Sequence, residues 1–222
     1  MLAVIAAGGE PPEREEFLHN AEKAGLVIAA DSGLEWLRAF GYTPDVMVGD
    51  FDSTGKKTVD LFLEKHVKTV TVPVEKDDTD TMLAAEYAAQ HGAREVVLFG
   101  GTGGERLDHT LANFHVLAYL QNRGISARML DAHTEIYLAQ GDAEICGSVG
   151  ETVSIMPFMG NAVVTLKDGG MKYPLNHLAL TDTFTGVSNR LERERVGMFV
   201  EGRVLVLRSR KALQRKKRGE MG

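Results

Sequence analysis

Asp50 and Asp52 flank Phe51 in the stretch DVMVGDFDST, directly after the apolar run Val46, Met47 and Val48. If the loop after this run is extended, both carboxylates point the same way. At an effective dielectric of ~20 such a pair repels by a few kcal/mol, so it calls for a cation, a shared proton or full solvation. A hard divalent ion is the simplest answer, and a solvated turn in which one Asp caps the next helix is the competing reading.

Asp77, Asp78 and Asp80 form a second acidic group in VEKDDTDTMLAAEYA. Helix capping explains such a group by itself. Two acidic loops at one sheet edge, however, can converge on a single ion through oxygen ligands, as Mg2+ is held when it also carries phosphates. The third stretch is LFGGTGGERLDHTLANF, where Gly100, Gly101, Gly103 and Gly104 precede Arg106, Asp108 and His109. A glycine-rich strand-to-helix turn can approach a phosphate closely, and arginine offers a planar fork to phosphate oxygens. The run lacks the Lys-Ser/Thr ending of a Walker A loop and is not a dinucleotide G-x-G-x-x-G. Arg106 can instead pair with Asp108, and His109 can simply pack. Together the loops supply cation ligands, a phosphate cradle and an arginine, which is the apparatus of phosphoryl or pyrophosphoryl transfer. Two rivals stand beside it: another Mg2+-dependent phosphotransferase or phosphohydrolase, and a non-enzymatic nucleotide- or vitamin-binding module.

The elements that must position these loops alternate through residue 130. Apolar runs at 2–6, 26–29, 46–48, 67–72, 96–99 and 127–130 read as buried strands, and 12–24, 34–40, 56–64, 80–91 and 109–122 carry helical periodicity. This alternation predicts an open, mainly parallel α/β sheet whose ligands bind at the carboxyl ends of the strands. The loops at Gly8-Gly9, Asp31-Ser32-Gly33, 49–53, 75–80 and 100–109 all fall at that edge. Beyond it, short β-rich runs at 135–138, 152–156, 162–166, 196–200 and 204–207 predict a small antiparallel β-sandwich, giving domains 1–131 and 132–222.

Composition narrows the field. With 222 residues, 44% hydrophobic and 25% charged, the chain can bury a substantial core. Its formal net charge of −6 argues against nucleic acid as a partner. Arg208, Arg210, Lys211, Arg215, Lys216, Lys217 and Arg218 form a basic end that reads as a solvated tail. The single cysteine, Cys146, excludes an intrachain disulfide and a thiolate cage, suits a reducing cytoplasm and reads as a small buried residue. The opening MLAVIAAGG is too short to span a membrane and lacks the basic flank of a signal peptide, so it reads as the first strand.

The ordered set GDFDS (49–53), D-x-T-D (77–80), RLDHTLAN (106–113), GMKYPL (170–175) and VSN (187–189) resembles the signatures of thiamine pyrophosphokinases across nearly the whole chain. The resemblance implies an α/β nucleotide domain followed by a β-sandwich, a homodimer, and Mg2+-dependent transfer of pyrophosphate from ATP to the hydroxyethyl group of thiamine, with AMP as the other product. It assigns the metal to Asp50, Asp52 and either Asp77 or Asp80, and places Arg106 and Asp108 near the phosphates. Asp31, Ser32, Gly33, Gly103, Gly104 and His109 are the accompanying nucleotide-site candidates. Lys172, Tyr173, Ser188 and Asn189 fall near a thiamine pocket between subunits, where the Tyr173 ring and the Ser-Asn pair suit a pyrimidine face and edge. Two positions depart from the pattern: Leu83 stands where some members carry lysine, and Glu105 replaces the usual small residue before Arg106.

Overall fold

The computed structural model describes residues 1–71, 78–104, 106–183 and 186–210, and the chain divides into two compact units, Met1–Asp131 and Ala132–Gly222. The first unit holds strands β1 (Leu2–Ala6), β2 (Leu26–Ala30), β3 (Val46–Gly49), β4 (Lys68–Thr71), β5 (Glu95–Phe99) and β6 (Ser126–Leu130). Its helices are α1 (Arg14–Ala21), α2 (Gly33–Phe40), α3 (Lys56–Glu64), α4 (Asp80–Gln90) and α5 (Leu107–Asn122). The strands pair in parallel in the order β6-β5-β1-β2-β3-β4.

That order follows from the residues. The run Ala3 to Ala6 is almost wholly buried, as are Val46 to Val48 and Val96 to Phe99, which is the continuous apolar character of parallel strands covered on both faces. One covering layer is an aromatic cluster in which Phe17 meets Trp36 edge-on at 5.1 Å, Tyr42 at 5.0 Å and Phe99 at 5.9 Å. The Trp36 indole donates to the Ala7 carbonyl at 2.8 Å and so ties α2 to the end of β1. From β4 the chain returns over the sheet through α4, which packs on β3, β2 and β1, to form β5 on the far side of β1. The sheet direction therefore switches between β1 and β5, the place where an open α/β sheet leaves a crevice at its carboxyl edge.

The second unit holds β7 (Thr134–Cys146), β8 (Thr152–Pro157), β9 (Ala162–Leu166), β10 (Leu178–Leu180), β11 (Gly186–Arg190) and β12 (Arg195–Ser209). All pairings are antiparallel: β12 lies along β7 for its whole length, its first half also pairs with β9 and its second half with β8. Buried Ile145, Val153, Ile155, Val164, Met198 and Val206 form its core.

Several expectations change here. The runs 196–200 and 204–207 are one strand, because Gly202 at φ 85 absorbs a bulge between Val200 and Val204 instead of ending the pairing. Likewise 135–138 is only the start of the long β7, while the three-residue β10 and the polar β11 add two strands beyond the expected runs. Cys146 is exposed, not buried, and its thiol donates to Glu144 at 3.2 Å. Arg208 belongs to β12 rather than to a solvated tail, its guanidinium paired with Glu135 and Glu151 in largely buried surroundings. Asp77, Glu105 and the basic residues from Lys211 onward lie outside the described residues.

Candidate active site

Four aspartates meet at the carboxyl edge of β2 and β3. Asp31 leaves β2 with φ 43, its N–H donating to the Val48 carbonyl of β3 at 3.0 Å. Asp50 and Asp52 follow β3 through a turn, so the condition of an extended loop is not met. Phe51 stands at φ 62, and the Asp52 N–H donates to Asp50 Oδ1 at 3.1 Å, an Asx turn. Neither residue caps α3, whose N-cap is Gly55. Carboxylate oxygens of Asp31, Asp50 and Asp52 lie within 4.8 Å of one another.

Asp80 arrives from the other direction. Thr79 caps α4, its hydroxyl accepting from the Met82 N–H at 3.3 Å, so Asp80 is not needed as the cap. Instead its carboxyl lies against the turn after β3, where a Cβ on Gly49 would stand 3.2 Å from it. Burial, together with the charges of Asp31, Asp50 and Asp52, pushes this carboxyl up to about 6. The donor set is all oxygen and all acidic, which fits a hard divalent cation: it would neutralise the repulsion that raises Asp80.

A cavity of about 370 Å3 runs from Asp31 and Asp80 past Ser32 and Ser53 to the glycine turns and the start of α5. Its walls depend on the absence of side chains. A Cβ on Gly8 would fall 2.0 Å from Ser32 Oγ, and one on Gly9 would fall 2.2 Å from the Thr102 carbonyl oxygen. The loops after β1 and β5 lie against each other, with Gly9 and Glu10 N–H groups donating to the Gly100 and Thr102 carbonyls, each at 2.8 Å. Gly103 and Gly104, at φ 75 and 78, complete the turn into α5.

Arg106 and His109 line the opposite wall. Arg106 grips Asp108 with contacts of 2.6, 2.9 and 3.2 Å, and both side chains are about two-thirds exposed at 66% and 63%. The hydrogen bonds and the adjacent positive charge hold the Asp108 carboxyl down at about 2. Sequence reading did not single out Asn113 or Thr54. Asn113 is buried on α5, lines the cavity and donates from Nδ2 to the Gly101 carbonyl at 2.8 Å. Its signal was a lone amide on an otherwise apolar helix face. Thr54 is buried and donates to Asp31 Oδ1 at 3.1 Å.

In the second unit Tyr173 is exposed, with the Lys172 ammonium 5.4 Å from its ring centre. Asn189 is buried and its amide is spent on the backbone: Oδ1 accepts from the Tyr173 N–H at 3.0 Å and Nδ2 donates to the Tyr173 carbonyl at 2.7 Å. Ser188 stands at φ 62, its N–H donating to Ser154 Oγ at 3.1 Å. These residues are held together, with Asn189 fixing the tyrosine backbone.

Comparison with known proteins identifies the family. Residues 17–129 match the family described as "Thiamin pyrophosphokinase, catalytic domain". The chain is 31% identical over 211 residues to a thiamine pyrophosphokinase of Bacillus subtilis (strain 168), covering 92% of this chain and 97% of the relative. The crystal structure of thiamine pyrophosphokinase from Bacillus subtilis superposes with a TM-score of 0.82 at 29% identity, over 95% of this chain and 100% of that one. That of thiamin pyrophosphokinase from Geobacillus thermodenitrificans does so with 0.78 at 26%, over 96% and 99%.

Proposed function

The chain belongs to the thiamine pyrophosphokinase family, which transfers pyrophosphate from ATP to thiamine, and from that premise we propose how its own residues carry the reaction. Asp31, Asp50, Asp52 and Asp80 hold the divalent cation, which we take to be Mg2+. Asp77 is a further candidate from its place in the D-x-T-D stretch. The observation that carries this reading is the convergence of three carboxylates within 4.8 Å beside a fourth whose proton affinity they raise. When bound, the cation supplies charge neutralisation to the phosphate oxygens.

The thiamine hydroxyethyl oxygen attacks the β-phosphorus; the new O–P bond forms as the bond to the α-phosphate oxygen breaks, AMP leaves, and the alcohol proton is lost. Ser32, Gly103, Gly104 and His109 shape the nucleotide side of the cavity, and Gly33, buried against the Ala6 carbonyl behind it, lets α2 start next to Ser32. Arg106 turns its fork from Asp108 to the phosphates and stabilises charge there. Asp108 is paired with Arg106 in the waiting enzyme, and we assign it to orienting that guanidinium. Tyr173 offers its face to thiamine and Ser188 its hydroxyl, while Asn189 positions Tyr173. We further propose a cytoplasmic homodimer with the thiamine site at the subunit interface, supported by the exposure of Tyr173, 56% in the single chain.

Incubation with ATP, Mg2+ and thiamine, followed by identification of the nucleotide product, tests the reading. AMP without free pyrophosphate is expected, whereas ADP or phosphate contradicts it. Asp50→Asn and Asp52→Asn are each expected to lose about 100-fold or more in turnover and to unfold at no lower temperature than wild type, because each removes one of several crowded charges. Full activity in both rejects the cation assignment.

A further inference from the structure

We propose that Glu35 is a positioning residue that sets the spacing of the acidic cluster from outside it. The inference rests on Asp31, Asp50 and Asp52 being the cation site. α3 starts on Gly55, which has no side chain to cap with, and no acidic residue stands in its first turn. The cap comes from α2 instead. Glu35 Oε1 accepts from the Gly55 N–H at 2.7 Å, and Oε2 accepts from the Thr58 hydroxyl at 2.8 Å. Glu35 thus takes the N-cap N–H, the half of a capping box that an acid three residues into the helix would otherwise supply, and its carboxylate is also placed favourably at the positive end of α3. Thr58 is buried, and its hydroxyl oxygen accepts from Arg38 at 2.9 Å, which ties the same turn to α2 a second time.

One residue before Gly55, Thr54 donates to Asp31 at 3.1 Å. Asp31 and Glu35 stand four residues apart at the entry of α2, and Thr54 and Gly55 are consecutive at the entry of α3. The two helix entries are thus joined by parallel rungs, and the Asp50–Asp52 turn hangs between β3 and the Glu35 rung. Like charges within 4.8 Å push the loops apart, and the rungs oppose that push. Loss of the Glu35 rung leaves the downstream end of the turn on the Thr54–Asp31 rung without its second tie, and cation affinity falls while the thiamine residues, all in the second unit, are untouched.

The test measures Mn2+ binding to the full chain by the electron paramagnetic resonance signal of the free ion, together with circular dichroism and KM for thiamine. E35A is expected to bind Mn2+ about 10-fold more weakly than wild type, with an unchanged fold and thiamine KM. E35Q keeps an acceptor for Gly55 and a partner for Thr58, and is expected within about threefold of wild type. Equal affinity in wild type and E35A overturns the proposal, as does E35Q binding as weakly as E35A, because the effect is then one of charge and not of placement. If E35A does not fold, T58V removes the Oε2 rung together with the Arg38 tie and leaves the Gly55 contact in place, and an unchanged Mn2+ affinity in that variant overturns the proposal equally. Wild type failing to bind Mn2+ rejects the cation site itself, and is distinguished from the other outcomes because D50N then behaves like wild type.

Discussion

At the residue scale, Asp80 carries the clearest electrostatic signature. Its carboxyl holds a proton up to about 6 instead of the ordinary 3.8, so the folded protein binds that proton more tightly than the unfolded chain does. The stabilisation is complete below the ordinary carboxylate range and is lost as pH rises through about 6. Metal-free protein is therefore expected to lose thermal stability as pH rises from about 4 to about 6, and Asp80→Asn is expected to flatten that slope. Cation binding displaces the proton, so titration with Mg2+ at about pH 6 should release protons to buffer in wild type and fewer in Asp80→Asn. Calorimetry in buffers of different ionisation enthalpy checks this, and equal release in the two proteins counts against Asp80 as the responsible group. The sequence placed Asp80 among the cation candidates, but its acidic group taken alone reads first as a helix cap, and the raised proton affinity had no sequence signal. Only the structure shows Thr79 in that role and Gly49 giving the carboxyl room against the other three acids.

At the scale of elements, β1, β2, β3 and β5 were legible because a strand covered on both faces must be an unbroken apolar run, whereas β4 and β6 are mixed in sequence and less buried, and were legible from their place in the alternation. The loops were legible as well, since glycines and acids cluster at the ends of those runs. Why the glycines are required was not. Gly33 opens α2, and a Cβ there would fall 2.0 Å from the Ala6 carbonyl oxygen, backbone that cannot yield without moving β1. Gly33→Ala is expected to destabilise the protein by at least about 2 kcal/mol, measured by urea unfolding, and to lower turnover in the surviving fraction because Asp31 and Ser32 move with the helix entry. By contrast Gly41 ends α2 at φ 70 with open space around its α-carbon, so Gly41→Ala meets only the backbone preference and is expected to cost about 1 kcal/mol with turnover unchanged. The antiparallel half was less legible for the opposite reason. Its strands alternate buried and exposed residues, and polar stretches such as Gly186–Arg190 pair as firmly as apolar ones once β8 lies beside them.

At the scale of the whole molecule, the division of labour follows the two compact units. Every residue of the acidic cluster and of the cavity belongs to Met1–Asp131, whereas Tyr173, Ser188 and Asn189 belong to Ala132–Gly222. Stability of the second unit leans on Arg208, whose side chain is 15% exposed and bridges Glu135 and Glu151 at 18% and 6%. Removing that guanidinium takes a largely buried positive charge from between two carboxylates, so Arg208→Ala is expected to cost about 3 kcal/mol and to lower the melting temperature. Mn2+ affinity below that temperature should stay at the wild-type value, because no ligand candidate lies in that unit. Tyr173→Ala asks the complementary question. Tyr173 is exposed and its backbone is held by Asn189, so its loss leaves the fold intact and is expected to raise KM for thiamine about 10-fold, roughly the 1–2 kcal/mol that one aromatic contact provides. Asn189→Ala removes no group that faces solvent but frees the Tyr173 backbone, and should raise the same KM while also lowering stability. A thiamine KM that moves in neither variant would remove this surface from the reaction, and a shift in Mn2+ affinity in either would show that the two units do not divide the work in this way.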